Sequence, residues 1–135
     1  DLSDILTDPV WHRACAQVKE VASNARFKLT QFHYVHRTYY TPQKLSRIYP
    51  GRSDACLRCG ATPATFIHMV WEGQRLHAFW TEISSIIRKV TGQKVQHSIR
   101  HCLLGLTPLP SRGKKTNYRF AILGLVLAKR RIAIH

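Results

Sequence analysis

Acidic residues are scarce. The 135-residue chain holds 7 Asp+Glu against 21 Lys+Arg, a formal net charge of +14 with pI ≈ 10.3. With acids so thinly spread, no close carboxylate pair is available for general acid–base work or for a two-metal site. Long apolar runs are also missing. The longest, Phe120 to Ala128 (FAILGLVLA), falls far short of the roughly 20 residues that a membrane-crossing helix needs. There is no Gly-rich phosphate loop of the P-loop or dinucleotide kind. Serines beside histidines, such as His97-Ser98, have no acid nearby to orient a base, so a hydrolytic triad is not indicated. Four cysteines at uneven spacing make no disulfide framework, which suggests a reducing, intracellular setting. Asp1 is not an initiator Met, no signal peptide follows it, and the chain stops at His135 inside a helical pattern, so a piece of a larger protein is expected.

What remains is a chain with 44% hydrophobic and 10% aromatic residues, enough for a core. Its charge is clustered. No acid occurs from Val21 to Ser53, where Arg26, Lys28, Arg37, Lys44, Arg47 and Arg52 sit, and none after Glu82. Such a balance points to nucleic acid, or to an anionic surface. Basic and flat side chains interleave at Arg26-Phe27-Lys28 and from Phe32 to Arg37. Arg26, Lys28, His33 and Arg37 are therefore candidate contacts to nucleic acid. Arg112, Lys114 and Lys115, and Lys129, Arg130 and Arg131, are weaker candidates of the same kind.

The periodicity is helical almost throughout, looser from 93 to 116, and no segment reads convincingly as a strand, so the expected class is all-α around a small loop-rich site. Trp11, Cys15, Val18 and Ala22 form one stripe after Asp8-Pro9, and Leu29, Phe32, Val35 and Tyr39 another, read here as core-facing. Thr41-Pro42 opens a short helix ended by Tyr49-Pro50-Gly51. The clearest helix runs from about Gln74 to Thr91, with Leu76, Phe79, Trp80, Ile83, Ile86, Ile87 and Val90 as its apolar stripe, Trp80 buried beside Leu76 and Ile83, and Gly92 as its stop. Asn117 caps a last helix through Ile122, Leu125 and Ile132. One domain is expected over 1–135: a basic helical segment (1–50), a CxxC/His motif with the long helix (51–92), and a loop with a final helix (93–135).

Cys56-Leu57-Arg58-Cys59-Gly60 is the sharpest local signal. Two thiolates at this spacing can hold one tetrahedral metal, and a glycine after the second lets the backbone turn beneath them. His68 follows after eight intervening residues. A redox role for the CxxC would need a βαβ context that is absent. The spacing departs from a two-Cys two-His finger, and His77 is the next histidine that could reach the site.

The ordered string Thr30-Gln31-Phe32, His36-Arg37-Thr38-Tyr39-Tyr40-Thr41-Pro42, Tyr49-Pro50, Cys56-x-x-Cys59-Gly60, Phe66-Ile67-His68-Met69-Val70-Trp71, Phe79-Trp80, Cys102-Leu103-Leu104-Gly105 and Leu127-Ala128-Lys129-Arg130 resembles the carboxy-terminal region of the reverse transcriptase polyprotein of LINE-type (non-LTR) retrotransposons of fish and frogs. The likeness covers nearly the whole chain. It implies a parent protein with an endonuclease and an RNA-directed DNA polymerase. This tail would be an accessory part that binds RNA or DNA in nucleus and cytoplasm, beside the remainder of the polyprotein and with no membrane partner. The resemblance also implies a Cys-Cys-His-Cys zinc motif. Cys56, Cys59 and His68 fall on its first three ligands and Gly73 on the fourth, so either His77 or water completes the set, or tight zinc binding is lost in this copy. A helical module docking on the polymerase body, or a host protein derived from it, is the other reading.

Overall fold

The computed structural model describes residues 8–20, 23–92, 94–105 and 115–134. Among them are seven helices and no strand, the all-α class expected: α1 (Asp8–Glu20), α2 (Ala25–His36), α3 (Pro42–Ile48), α4 (Phe66–Val70), α5 (Gln74–Thr91), α6 (Ile99–Cys102) and α7 (Lys115–Ile134). No helix there is long and apolar enough to cross a membrane.

Local chemistry sets the helix starts. Asn24 accepts from the Arg26 amide at 2.9 Å, Thr41 from Lys44 at 3.3 Å and Thr65 from His68 at 3.2 Å. Each side-chain oxygen satisfies an amide that the first turn leaves without a partner. The last helix begins at Lys115, two residues before the expected cap at Asn117.

Helix α7 is the central element, with α5, α2 and α4 against it and α1 against α2. The main core joins Trp80, Leu76 and Ile87 of α5 to Ala121, Leu125 and Ala128 of α7, and to Phe66 and Val70 of α4. Trp80 is fully buried, and its indole N–H donates to the Val70 carbonyl at 3.0 Å. That one side chain therefore ties the long helix to the short one beside the cysteine loop. Helix α7 approaches α5 closely at Gly124, where an added Cβ would lie 3.2 Å from the Ile87 side chain. As expected, Leu76, Trp80 and Ile87 of the α5 stripe are buried and Phe79 and Ile83 partly so, but Ile86 and Val90, expected on the same stripe, are 48% and 75% exposed.

The α2 stripe is corrected in half: Val35 is buried and Tyr39 packs against the core as expected. Leu29 and Phe32, expected in the core, are 54% and 40% exposed. The buried stripe is Thr30, Gln31, Tyr34 and Val35, so three of its four residues are polar. Hydrogen bonds account for the rotation. Gln31 Nε2 donates to the Leu104 carbonyl at 3.3 Å, Tyr34 OH to the Lys129 carbonyl at 2.9 Å, and Lys129 Nζ to Gln31 Oε1. A buried polar face is favourable once each group has a partner.

Candidate metal centre

The loop from Ser53 to Thr65 folds back on itself. Cys56 N–H donates to the Ala61 carbonyl at 2.9 Å, and Gly60 N–H to Cys56 at 2.7 Å. Gly60 holds the positive φ of +75° that this reversal requires. The Thr65 cap starts α4 at Phe66 and so places His68 in its first turn, facing the loop. The ligand atoms of Cys56, Cys59 and His68 all lie within 4.8 Å of one another, with Cys59 Sγ 3.3 Å from His68 Nε2. Ligands of one tetrahedral zinc sit about 3.5–3.8 Å apart, so this group could hold a metal ion after small adjustments.

The remaining chemistry suits a cation. Burial pushes the Cys56 thiol up, but hydrogen bonds from the Arg58 and Cys59 backbone and from the His68 and Cys59 side chains outweigh it and bring it down to about 6. A thiolate is the form that ligates metal. His68 turns Nε2 to the sulfurs and Nδ1 to Glu72, whose Oε2 is 3.4 Å away. A carboxylate behind a ligating imidazole fixes its orientation and tautomer. Arg58 folds its guanidinium onto the Met69 carbonyl, which binds the loop to α4.

Two expected residues fare differently. Glu72 and Gln74, on either side of Gly73, line the cleft beside the three ligands. Gly73 itself has φ +100°, ψ 147°, a region in which L side chains are strained, yet an added Cβ would meet nothing within 4 Å. His77 is corrected. It is not in the ligand group, because its ring packs 4.3 Å from His97, whose ring lies 4.9 Å from Trp71. Cys102 is buried in the core.

The basic candidates divide as well. Arg26, Arg37 and Arg131 are exposed; Lys28 is half-buried beside Lys19 and Arg119. His33 is partly buried, paired through Nδ1 with Thr38, its ring centroid 4.9 Å from that of Tyr39 at a tilt of 38°. Arg130 sets its guanidinium 5.8 Å over the Phe27 ring. Lys129 is a correction: it is fully buried, its ammonium faces Gln31 and the Tyr34 ring, and no phosphate could reach it. Arg112 and Lys114 lie outside the described residues, as does the Lys115 side chain. Sequence reasoning passed over Lys44 and Arg47, which share a cleft with Arg37; the absence of acids from 21 to 53 was the signal that included them.

No family profile, curated protein or solved structure matches the chain.

Proposed function

We propose that this chain is an accessory nucleic-acid-binding domain of a LINE-type reverse transcriptase polyprotein, helping to hold template RNA or target DNA during target-primed reverse transcription. The observation that carries the reading is the meeting of Cys56, Cys59 and His68 in one metal-sized group inside a strongly basic all-α domain. These are the three residues that the family resemblance assigns as ligands. Two thiolates and an imidazole favour zinc among common cations, and its role would be structural: it would clamp a loop that carries few core side chains. Lys and Arg neutralise phosphates and release counterions. The polymerase and endonuclease chemistry would belong to the rest of the polyprotein.

The test is affinity for a labelled RNA or DNA oligonucleotide between about 50 and 200 mM salt. A log–log slope of several units is expected. Affinity flat across that range overturns the reading. Arg26→Glu, Lys28→Glu and Arg37→Glu together should weaken binding to all sequences alike.

A second reading rests on Phe120 and Leu127, seven residues apart on one face of α7 and 58% and 47% exposed. Apolar residues so placed fit a module that docks on the polymerase body, and that docking would respond weakly to salt.

A further inference from the structure

A cleft of about 640 Å³ opens between the C-terminal end of α2, helix α3 and the start of α4. This is the range of pockets that take up small organic groups. Arg37, Lys44 and Arg47 line it, and among the described residues Glu72 is the only acid in its wall. That acid is already engaged with His68 Nδ1 at 3.4 Å. The Lys44 ammonium donates to the Arg37 carbonyl, which holds its charge at the cleft.

His36 also lines the cleft, and its ring sits between those of Phe32 on α2 and Trp11 on α1. The His36 ring centroid lies 4.3 Å from that of Phe32 and 5.4 Å from that of Trp11. His36 and Phe32 are both exposed, on the side of α2 away from its buried polar stripe. Core packing therefore does not account for this pair of rings. Cations alone would serve any polyanion. Exposed rings beside cations suit a ligand that brings flat faces together with phosphates. A duplex hides the faces of its bases inside the stack, whereas an unpaired strand presents them.

We infer that this cleft, with the Phe32–His36 pair at its rim, is a track for an unpaired nucleic-acid strand: Lys44 and Arg47 take the backbone phosphates, and Phe32 and His36 stack on a base. The inference deepens the nucleic-acid-binding reading above and rests on it. It also connects that reading to the metal centre. Phe66 and Ile67 of α4 line the cleft, His68 of the same short helix is a candidate ligand, and Glu72 borders both sites. A metal that fixes α4 thereby fixes one wall of the track.

The experiment compares fluorescence anisotropy of the full 135-residue chain with a labelled single strand of about 15 nucleotides and with a duplex of the same length. Tighter binding of the single strand is expected at about 100 mM salt. Lys44→Glu with Arg47→Glu should weaken it tenfold or more and lower the salt slope by about one to two units. Phe32→Ala should weaken the single strand by about tenfold and leave the duplex unchanged, while Phe32→Tyr, which keeps the ring, should bind as before. Lys89→Glu, an exposed change on α5, should leave the preference for single strands intact. Circular dichroism confirms that each variant is folded. Equal affinity for both forms, or loss of both on Phe32→Ala, overturns the track while leaving nucleic-acid binding in place. Absence of salt-dependent binding to either form overturns the underlying reading instead.

Discussion

The cysteine loop and the junction of Gln31, Tyr34 and Lys129 both fix polar side chains, by opposite means. In the loop the partners are near in sequence: Cys59 and His68 are 9 residues apart, and Arg58 and Met69 are 11. Cys59 is exposed there, and the group could hold a metal ion. At the junction the partners are 95 and 98 residues apart, and all three side chains are almost wholly buried. Helix packing holds that site, and among the described residues no carboxylate pairs with the lysine. The difference teaches that one domain can hold a local site that a metal would complete and a long-range one that the core completes by itself.

Trp80 shares the main core with Tyr34 and bonds to Val70 of the helix that carries His68, and its loss should be the largest single effect. Trp80→Ala empties the centre of the core and removes the bond to Val70, at a cost of about 3–5 kcal/mol in denaturant unfolding. Because Val70 ends the helix that carries His68, metal affinity should fall with stability. A variant that loses stability but keeps full metal affinity would show that the loop is independent of the core.

Cys56→Ser separates the sites from the other side. If the loop depends on metal, zinc at 100 times its dissociation constant should stabilise the wild-type chain by about 2.7 kcal/mol. The variant should lose most of that gain while its metal-free melting point changes little. Zinc content of the purified proteins gives the second readout. An unchanged zinc shift in Cys56→Ser would remove this thiol from the ligand set.

The contrast also explains what could be read from the sequence. CxxC, the glycine after it and a histidine eight intervening residues further on are local signals, and they led directly to the ligand group. The long helix was legible because its apolar stripe and Gly92 lie within one segment. The buried face of α2 was not legible. Hydrophobic periodicity selected Leu29 and Phe32, whereas Thr30, Gln31 and Tyr34 turn inward because their partners come from Leu104 and Lys129, far along the chain. The same reasoning assigned Lys129 to the surface, because a lysine in a basic run is normally solvated.

The junction should answer to pH and to loss of a partner. Gln31→Leu strands the Lys129 amine and the Leu104 carbonyl, for about 1–3 kcal/mol. Lys129→Met removes the amine itself and should cost less, since the Gln31 bond to Leu104 survives. Burial pushes Lys129 down from 10.5 to about 7, with the neighbouring Cys102 pulling the other way. The unfolded chain therefore binds the extra proton between those values, and stability should rise with pH in that window. Cys102 and Tyr34 are pushed up by burial and oppose this only above about 9, so the measurement runs from about pH 7 to about pH 8.5. Cys56, held low, acts in the same direction as Lys129. The lysine's share is therefore the part of the slope that Lys129→Met abolishes. An identical slope in that variant would place the proton elsewhere.

The smallest net effect is expected at Gly73, where two contributions oppose each other. At φ +100° a side chain costs about 1–3 kcal/mol of backbone strain, and since an added Cβ meets nothing within 4 Å there is no clash to add to it. Metal-free Gly73→Cys should therefore melt below wild type. A thiolate beside Glu72 and Gln74 would also stand next to the three ligands and could complete a tetrahedron, which tightens zinc binding. The stabilisation that zinc adds should then exceed that of the wild-type chain, and the loaded variant should recover the lost stability or pass it. Gly73→Ser isolates the strain, since a hydroxyl imposes the same backbone cost without the sulfur. If Gly73→Cys and Gly73→Ser show the same zinc shift, position 73 is not the fourth corner, and the likeness to a Cys-Cys-His-Cys motif ends at His68. If only the cysteine widens the shift, then the loop, unlike the buried junction, was one side chain short of holding its site closed.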